Sequence, residues 1–305
     1  MAQADGLSAP GHTAVTTQGW LKAHQWLLLR RLSQLAVLAL FLLGPWAGLW
    51  FIEGNLSASL ILNSVPLTDP LLLLQSALSG AWPVLSGALG ALIVLAFYAL
   101  VGGRVFCAWV CPVNPITDLA AWLRRRLDLR AGAKLSRDIR YWVLGLTLVF
   151  PLVTGSLVFE YWNPVSMAHR GLIFGMGLAW VILAGVFLFD LFVVRHGWCG
   201  HLCPVGAFYG LIGAGALVRV RADQRARCDD CMDCFAVCPE PQVIKPALKG
   251  AVKGLGPVIL GINCTNCGRC IDVCSKDVFR FGPRWPNRAS AVPDDARLPG
   301  SVPVN

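Results

Sequence analysis

Cys228-Asp-Asp-Cys231-Met-Asp-Cys234-Phe-Ala-Val-Cys238-Pro239 and, further along, Cys264-Thr-Asn-Cys267-Gly-Arg-Cys270-Ile-Asp-Val-Cys274-Ser275 decide how this chain is read. Each stretch is C-x2-C-x2-C-x3-C, the spacing with which bacterial ferredoxins hold a pair of [4Fe-4S] clusters. A cubane needs four converging thiolates, and a tight loop supplies only three. The fourth cysteine of each motif therefore reaches the other cluster. The spacing predicts Cys228, Cys231, Cys234 and Cys274 around one cluster and Cys264, Cys267, Cys270 and Cys238 around the second. A zinc ribbon also uses C-x2-C knuckles, but it does not require eight cysteines in this doubled order.

The rest of the chain is unlike a soluble ferredoxin. Of 305 residues, 56% are hydrophobic and only 14% charged, and the mean hydropathy is +0.60. That composition predicts an integral membrane protein. The spacing of the twelve cysteines is that of metal ligands, and the chain is too large and apolar for a small disulfide scaffold. Cluster thiols must stay reduced, which places them in the cytoplasm. A net charge of +9 would suit nucleic acid in a soluble protein. Here the basic residues flank apolar spans, so orientation in a membrane explains them and no nucleic-acid partner is expected.

Residues 1–31 read as a cytoplasmic segment without a signal peptide, ending in a juxtamembrane helix before Arg30 and Arg31. Four spans follow at about 32–52, 84–101, 141–159 and 172–194, with Pro45 bending the first and Pro151 lying in the third. Residues 53–82 contain no Lys or Arg and read as an outer loop touching the membrane surface. The loop from 102 to 140 carries eight Lys or Arg, including Arg124, Arg125 and Arg126, and is placed inside. Both termini and the cluster motifs are then cytoplasmic, in agreement with the redox argument. The expected fold is a membrane domain over 32–194, four transmembrane helices as a doubled hairpin, then a C-terminal α+β two-[4Fe-4S] ferredoxin-like domain over 205–283. Residues 284–305 read as a disordered tail.

The second and fourth spans end in the same element, Arg104-Val-Phe-Cys107-Ala-Trp-Val-Cys111-Pro112 and Arg195-His-Gly-Trp-Cys199-Gly-His-Leu-Cys203-Pro204. These C-x3-C-P feet, at 107–112 and 199–204, each set two thiols on one helical face. Cys107, Cys111, Cys199 and Cys203 leave three readings open: a further metal or cluster site, redox-active thiol pairs, or small buried residues at helix ends.

With four spans, two C-x3-C-P feet and tandem cluster motifs in this order, the chain resembles the NapH/MauN family of ferredoxin-type membrane proteins. The resemblance extends to Pro66-Leu-Thr-Asp69-Pro70-Leu71, Trp109-Val-Cys-Pro-Val-Asn-Pro-Ile-Thr-Asp-Leu, His196-Gly-Trp-Cys-Gly-His-Leu-Cys-Pro-Val-Gly and Cys231-Met-Asp-Cys-Phe-Ala-Val-Cys-Pro-Glu-Pro. It covers roughly residues 18–285; Ser275 stands where Pro is usual after the fourth cysteine. It implies a quinol dehydrogenase subunit of the bacterial inner membrane that works with a NapG-like periplasmic ferredoxin-type partner. Electrons would pass from the quinone pool toward periplasmic nitrate reductase, by way of a membrane multihaem cytochrome in some systems.

Quinol oxidation requires an apolar slot and a proton acceptor. The ionisable candidates beside the spans are Glu53, Glu160 and Asp190, with His169 near them. Haem ligation commonly uses axial His, and none of His12, His24, His169, His196 and His201 falls within a span, so no haem is expected. Clusters inside and an acceptor outside are separated by about 30 Å of hydrocarbon. That gap keeps two alternatives in view: an anchor or assembly subunit with structural or redox-sensing clusters, and a polyferredoxin that reduces a metal during maturation of another enzyme.

Overall fold

The structure, a computed structural model, describes residues 9–129, 132–133, 135–175 and 177–285. Most of the tail expected over 284–305 lies outside the described residues. Two short helices, α1 (His12–Gln18) and α2 (Trp20–Ala23), lead into α3 (Gln25–Ala47). The first of them is strapped across the cysteine-rich domain: the Gly11 amide donates to Asp233 at 2.9 Å and Gln18 Nε2 to the Cys274 carbonyl at 3.0 Å.

Helix α3 is the one helix among the described residues long and apolar enough to cross a membrane. It starts seven residues before the span expected at 32, because the carboxylate of Asp272 accepts from the amides of Trp26 and Leu27 at 3.0 and 2.9 Å and caps it from another domain. It ends at Gly48, whose φ of 71° closes the last turn just after Pro45.

Residues 53–82, expected as an outer loop, fold into regular elements. They form an antiparallel meander, β1 (Ile52–Gly54), β2 (Ala58–Ile61) and β3 (Val65–Thr68), and then α4 (Pro70–Leu78), which enters the core. Leu71 and Gln75 are buried. Strand β3 packs on α5 (Leu85–Val101) at Gly90, where a Cβ would stand 3.0 Å from the Pro66 backbone. Helix α6 (Val105–Trp109) and α7 (Asn114–Arg126) follow.

The second half repeats this plan. Helix α8 (Ile139–Thr154) leads through a short 3-10 turn to α9 (Pro164–Phe174) and α10 (Ala179–Leu188). A single span over 172–194 is therefore divided: Gly175, with φ of 94°, ends α9 before α10 begins. Both inserted helices start the same way. Asp69 caps α4 by accepting from the Leu71 amide, and Asn163 caps α9 by accepting from the Val165 amide, each followed by Pro at the first helical position. The internal duplication thus includes an Asx-Pro helix as well as a foot.

Helices α5, α8 and α10 are apolar but short. Leu32, Leu35, Leu85, Leu92, Leu152, Val153 and Val181 remain exposed along them and α3. Such a belt is expected where lipid, not water, is the neighbour. The core between the helices holds Leu71, Tyr98, Phe106, Leu144, Val165, Leu183 and Tyr209 together with Cys111 and Cys203.

After α11 (Pro204–Ile212) the chain forms the cysteine-rich domain: β4 (Val218–Arg221), α12 (Asp233–Val237), α13 (Ile244–Lys249), α14 (Arg269–Asp272) and β5 (Arg280–Pro283), with β4 and β5 antiparallel. Its small core of Val220, Ile244, Leu248, Ile259 and Phe279 packs directly against cluster-motif cysteines.

Candidate functional site

The two cysteine motifs fold into matching loops. Asp230 and Met232 in the first, and Asn266 and Gly268 in the second, occupy equivalent positions with positive φ. Each loop turns so that an amide two residues on, of Asp233 or Arg269, donates to the sulfur of Cys231 or Cys267. Gly268 also permits a close approach, since a Cβ there would meet Trp26 at 2.5 Å. Its counterpart Met232 is exposed and meets no such limit.

Two cavities result. One, of about 20 Å³, is lined by Cys228, Cys231, Cys234 and Cys274; the other, also of about 20 Å³, by Cys238, Cys264, Cys267 and Cys270. The fourth cysteine of each motif lines the cavity of the other, which is the exchange the spacing predicts. Similar size and an all-thiol donor set fit two copies of one four-iron cluster. Burial pushes Cys234 up to about 12 and Cys264 up to about 11. Unliganded, these two thiols stay protonated near neutral pH, and a metal would draw them into the thiolate form; at Cys267 burial would raise the thiol, but Arg269 and Arg30 outweigh it and lower it. Cys231 is exposed whereas Cys267 and Cys270 are buried, so the first cavity opens outward and the second faces the helical half.

Two buried charge clusters hold that second cavity to the helices. Glu240, two residues past Cys238, is ion-paired with Arg104 at 2.7 Å and Arg140 at 2.6 Å, and also with Arg137. Burial would raise its carboxyl; the arginines outweigh burial and hold it down at about 2. Asp118 on α7 gathers Arg30, Arg31 and Arg269. Trp109 Nε1 donates to the Asn266 carbonyl at 3.0 Å, and Arg195 Nη2 to the carbonyls of Ala236 and Cys238 at 2.6 and 3.0 Å.

The feet meet at this junction. Foot one runs from α6, which holds Cys107, past the end of that helix to Cys111, and foot two is a single wide turn over Trp198–Leu202 with Cys203 extended just beyond it, so neither pair lies along one continuous helix as the spacing predicts. Asp190 is fully buried, and its Oδ1 accepts from the Trp198 amide at 2.8 Å. It thereby fixes the second foot. Arg104 donates to the Cys199 carbonyl at 2.9 Å, so the arginine of the first repeat also holds the second. Burial raises Cys107, Cys111, Cys199 and Cys203 above the usual thiol range, Cys203 to about 11, which makes them poor nucleophiles when unliganded.

The other candidates lie elsewhere. Glu53 sits on β1 beside Asn63, and Glu160 accepts from Asn163 Nδ2 at 3.1 Å. His169, expected in a loop, is 1% exposed on α9 and packs edge-on against Phe41, with neither ring nitrogen hydrogen-bonded. Asp69 was not singled out from sequence; it is held by the Tyr209 hydroxyl at 3.2 Å. The signal that pointed to it was the Asx-Pro pair shared with Asn163-Pro164.

A family model described as a 4Fe-4S binding domain matches residues 83–130 and 176–221. Among curated proteins, the chain is 50% identical to the ferredoxin-type protein NapH of Escherichia coli, over 92% of this chain and 97% of that one. It is 49% identical to NapH of Haemophilus influenzae, over 88% and 93%. It is 54% identical to the methylamine utilization ferredoxin-type protein MauN of Paracoccus denitrificans, over 90% and 95%. No solved structure matches. Identity of this order along nearly the whole of both chains, with a 4Fe-4S domain match, shows that the chain belongs to the NapH/MauN family of ferredoxin-type iron-sulfur proteins.

Proposed function

We propose that the chain is a multi-pass inner-membrane subunit that carries electrons between the quinone pool and a periplasmic acceptor, with both termini and the cysteine-rich domain in the cytoplasm. Helices α3, α5, α8 and α10 are its four spans. Cys228, Cys231, Cys234 and Cys274 hold one [4Fe-4S] cluster, and Cys238, Cys264, Cys267 and Cys270 hold the other. When bound, such clusters accept and release single electrons. The observation that supports the reading is the seating of the Cys238 cavity against the feet through Glu240 and Arg104, at one end of an apolar helical bundle.

The chain's own residues set the conditions for transfer. Amides of Asp233 and Arg269 hold thiolate charge, which tunes potential. Trp109 and Arg195 fix the second cavity against the helices, so its distance from them does not drift. Glu160 and Glu53, at the opposite end of the helices, are the proton-accepting candidates for quinol. Similarity to NapH supports periplasmic nitrate reductase as acceptor, with a periplasmic ferredoxin-type partner and, in some systems, a multihaem cytochrome.

A second reading rests on the gap of about 30 Å of hydrocarbon between inner clusters and an outer acceptor: the same chain anchors or assembles a partner with structural or redox-sensing clusters, or supplies electrons for maturation of another enzyme. An anaerobic electron paramagnetic resonance titration of the protein in liposomes, with quinol and the periplasmic partner present, separates the two. Cluster signals that grow on quinol addition are expected. Clusters that remain oxidised with the partner present would sink the quinol reading.

A further inference from the structure

We propose that Cys107, Cys111, Cys199 and Cys203, two from each repeat, are the four thiolate ligands of a third [4Fe-4S] cluster lodged between the feet. This deepens the electron-transfer reading above and takes its cofactor class from it.

The four sulfurs lie together. In each of the six possible pairs the charge on one thiolate opposes that on the other. The same opposition of charge holds for every pair among Cys238, Cys264, Cys267 and Cys270. Cys111 and Cys203 belong to one buried cluster, and Cys107 packs against it. Sulfurs brought together from two repeats are what a shared ligand requires; small packing residues at two helix ends need not meet at all.

Among the described residues, no three His, Cys, Asp or Glu side chains gather closely enough for a single metal ion, at the feet or at the two ferredoxin-type cavities. A single zinc ion draws thiolates to about 2.3 Å from one centre. A four-iron cube holds them farther apart. The cysteines of the feet are not cross-linked either.

Charge and position point the same way. Four thiolates buried in an apolar bundle need compensation. Arg104 supplies it: its guanidinium bonds to Cys107, binds the Cys199 carbonyl and lowers Cys203. The same guanidinium acts on Cys264 of the second cavity. One arginine side chain therefore stands between the two thiol sets. The 4Fe-4S family model matches the two segments that contain the feet and ends before Cys228. All twelve cysteines then fall into three sets of four, running from the exposed Cys231 rim through the Cys238 cavity into the helices. The electron route enters the bundle instead of stopping at its inner face.

The test is an iron and acid-labile sulfide count on the full-length protein, purified anaerobically in detergent and reconstituted with iron and sulfide. About twelve iron atoms per chain are expected, against about eight from the ferredoxin-type motifs alone. The variant with Cys107→Ser, Cys111→Ser, Cys199→Ser and Cys203→Ser should fall to about eight and keep the other cluster signals. Should that variant not fold, the wild-type count decides, with Mössbauer spectra to apportion the iron. A reconstituted wild-type count of about eight, or foot disulfides found by mass spectrometry in the anaerobic protein, overturns the third cluster while leaving two. A count well below about eight overturns the two-cluster reading as well, so the two failures are distinct.

Discussion

Arg104 Nη1 donates to Glu240 Oε1 across 2.7 Å, with both side chains almost completely buried, at 2% and 1% exposure. The pair joins the first foot to the residue two beyond Cys238. Arg140 completes the site from α8, itself 1% exposed, and Arg137 reaches it from the surface. Removing one partner of a buried ion pair leaves the others uncompensated, which is strongly destabilising. Glu240→Gln is therefore expected to cost about 3–5 kcal/mol, because it strands two buried arginines at once. Arg137→Ala, at a partly exposed position, should cost under about 1 kcal/mol. Urea unfolding in detergent, followed by cluster absorbance, compares the two; equal losses would mean that Glu240 is not the keystone of this junction.

The second junction carries a pH dependence. Burial alone would raise the carboxyl of Asp118, but Arg269, Arg30 and Arg31 outweigh it and hold the group below its ordinary value. A carboxylate with a depressed folded pKa stabilises above the unfolded value, about 3.9, and the contribution is lost as pH falls through the folded value. The stability gap between wild type and Asp118→Asn should be flat between about pH 8 and 5 and should close only in strong acid. Melting curves of both proteins across that range give the gap. A gap that closes between pH 7 and 6 would contradict the assignment.

The crosswise arrangement of the cysteine motifs makes a prediction that a count of single variants misses. Cys228 and Cys274 line one cavity, whereas Cys228 and Cys238, from the same motif, line different ones. The double variant Cys228→Ala with Cys274→Ala should lose about four iron atoms, no more than either single variant. Cys228→Ala with Cys238→Ala should lose about eight. Iron analysis and resonance spectra of the four proteins decide it, and a larger loss from the first pair than from the second would reverse the ligand sets.

The two matching cysteine loops were legible because C-x2-C-x2-C-x3-C fixes loop shape locally, down to the positive φ at Asp230 and Asn266. Helix α5 was legible too, since an unbroken apolar run between Val84 and Gly102 leaves little choice. The stretch over 53–82 was not. Its Leu71–Leu78 run is apolar like a surface helix, and nothing in its own composition says that Asp69 will meet Tyr209, many residues away. The meeting of the feet was hidden for the same reason. Repetition showed that two thiol pairs existed; only the packing of α6 and α11 around Arg104 brought them together. Charge misled in one place: Arg104 and Arg140 counted as inward-facing loop charges, yet both are buried against Glu240, whose sequence neighbourhood announces a cluster loop and no ion pair.

Among the described glycines of the helical half, the tightest approach lies where the two repeats cross, at Gly103 and Gly213. A Cβ on Gly103 would stand 1.6 Å from the Tyr209 carbonyl oxygen, and one on Gly213 would stand 2.2 Å from the Gly103 nitrogen. Both obstacles are main chain, so no side chain can rotate away to make room. Small residues at helix crossings let backbones touch in just this manner. The crossing sets the first foot beside α11, and with it Arg104 over Cys199. Gly103→Ala is therefore expected to destabilise by more than about 3 kcal/mol and to lower the yield of folded protein. Gly145→Ala serves as the control: a Cβ there meets nothing within 4 Å, and alanine favours the helix by about 1 kcal/mol. Thermal melts in detergent should show a sharp loss for the first and a small gain for the second. If Gly103→Ala melts like wild type, the two feet do not meet at this crossing and the thiol cluster between them loses its scaffold.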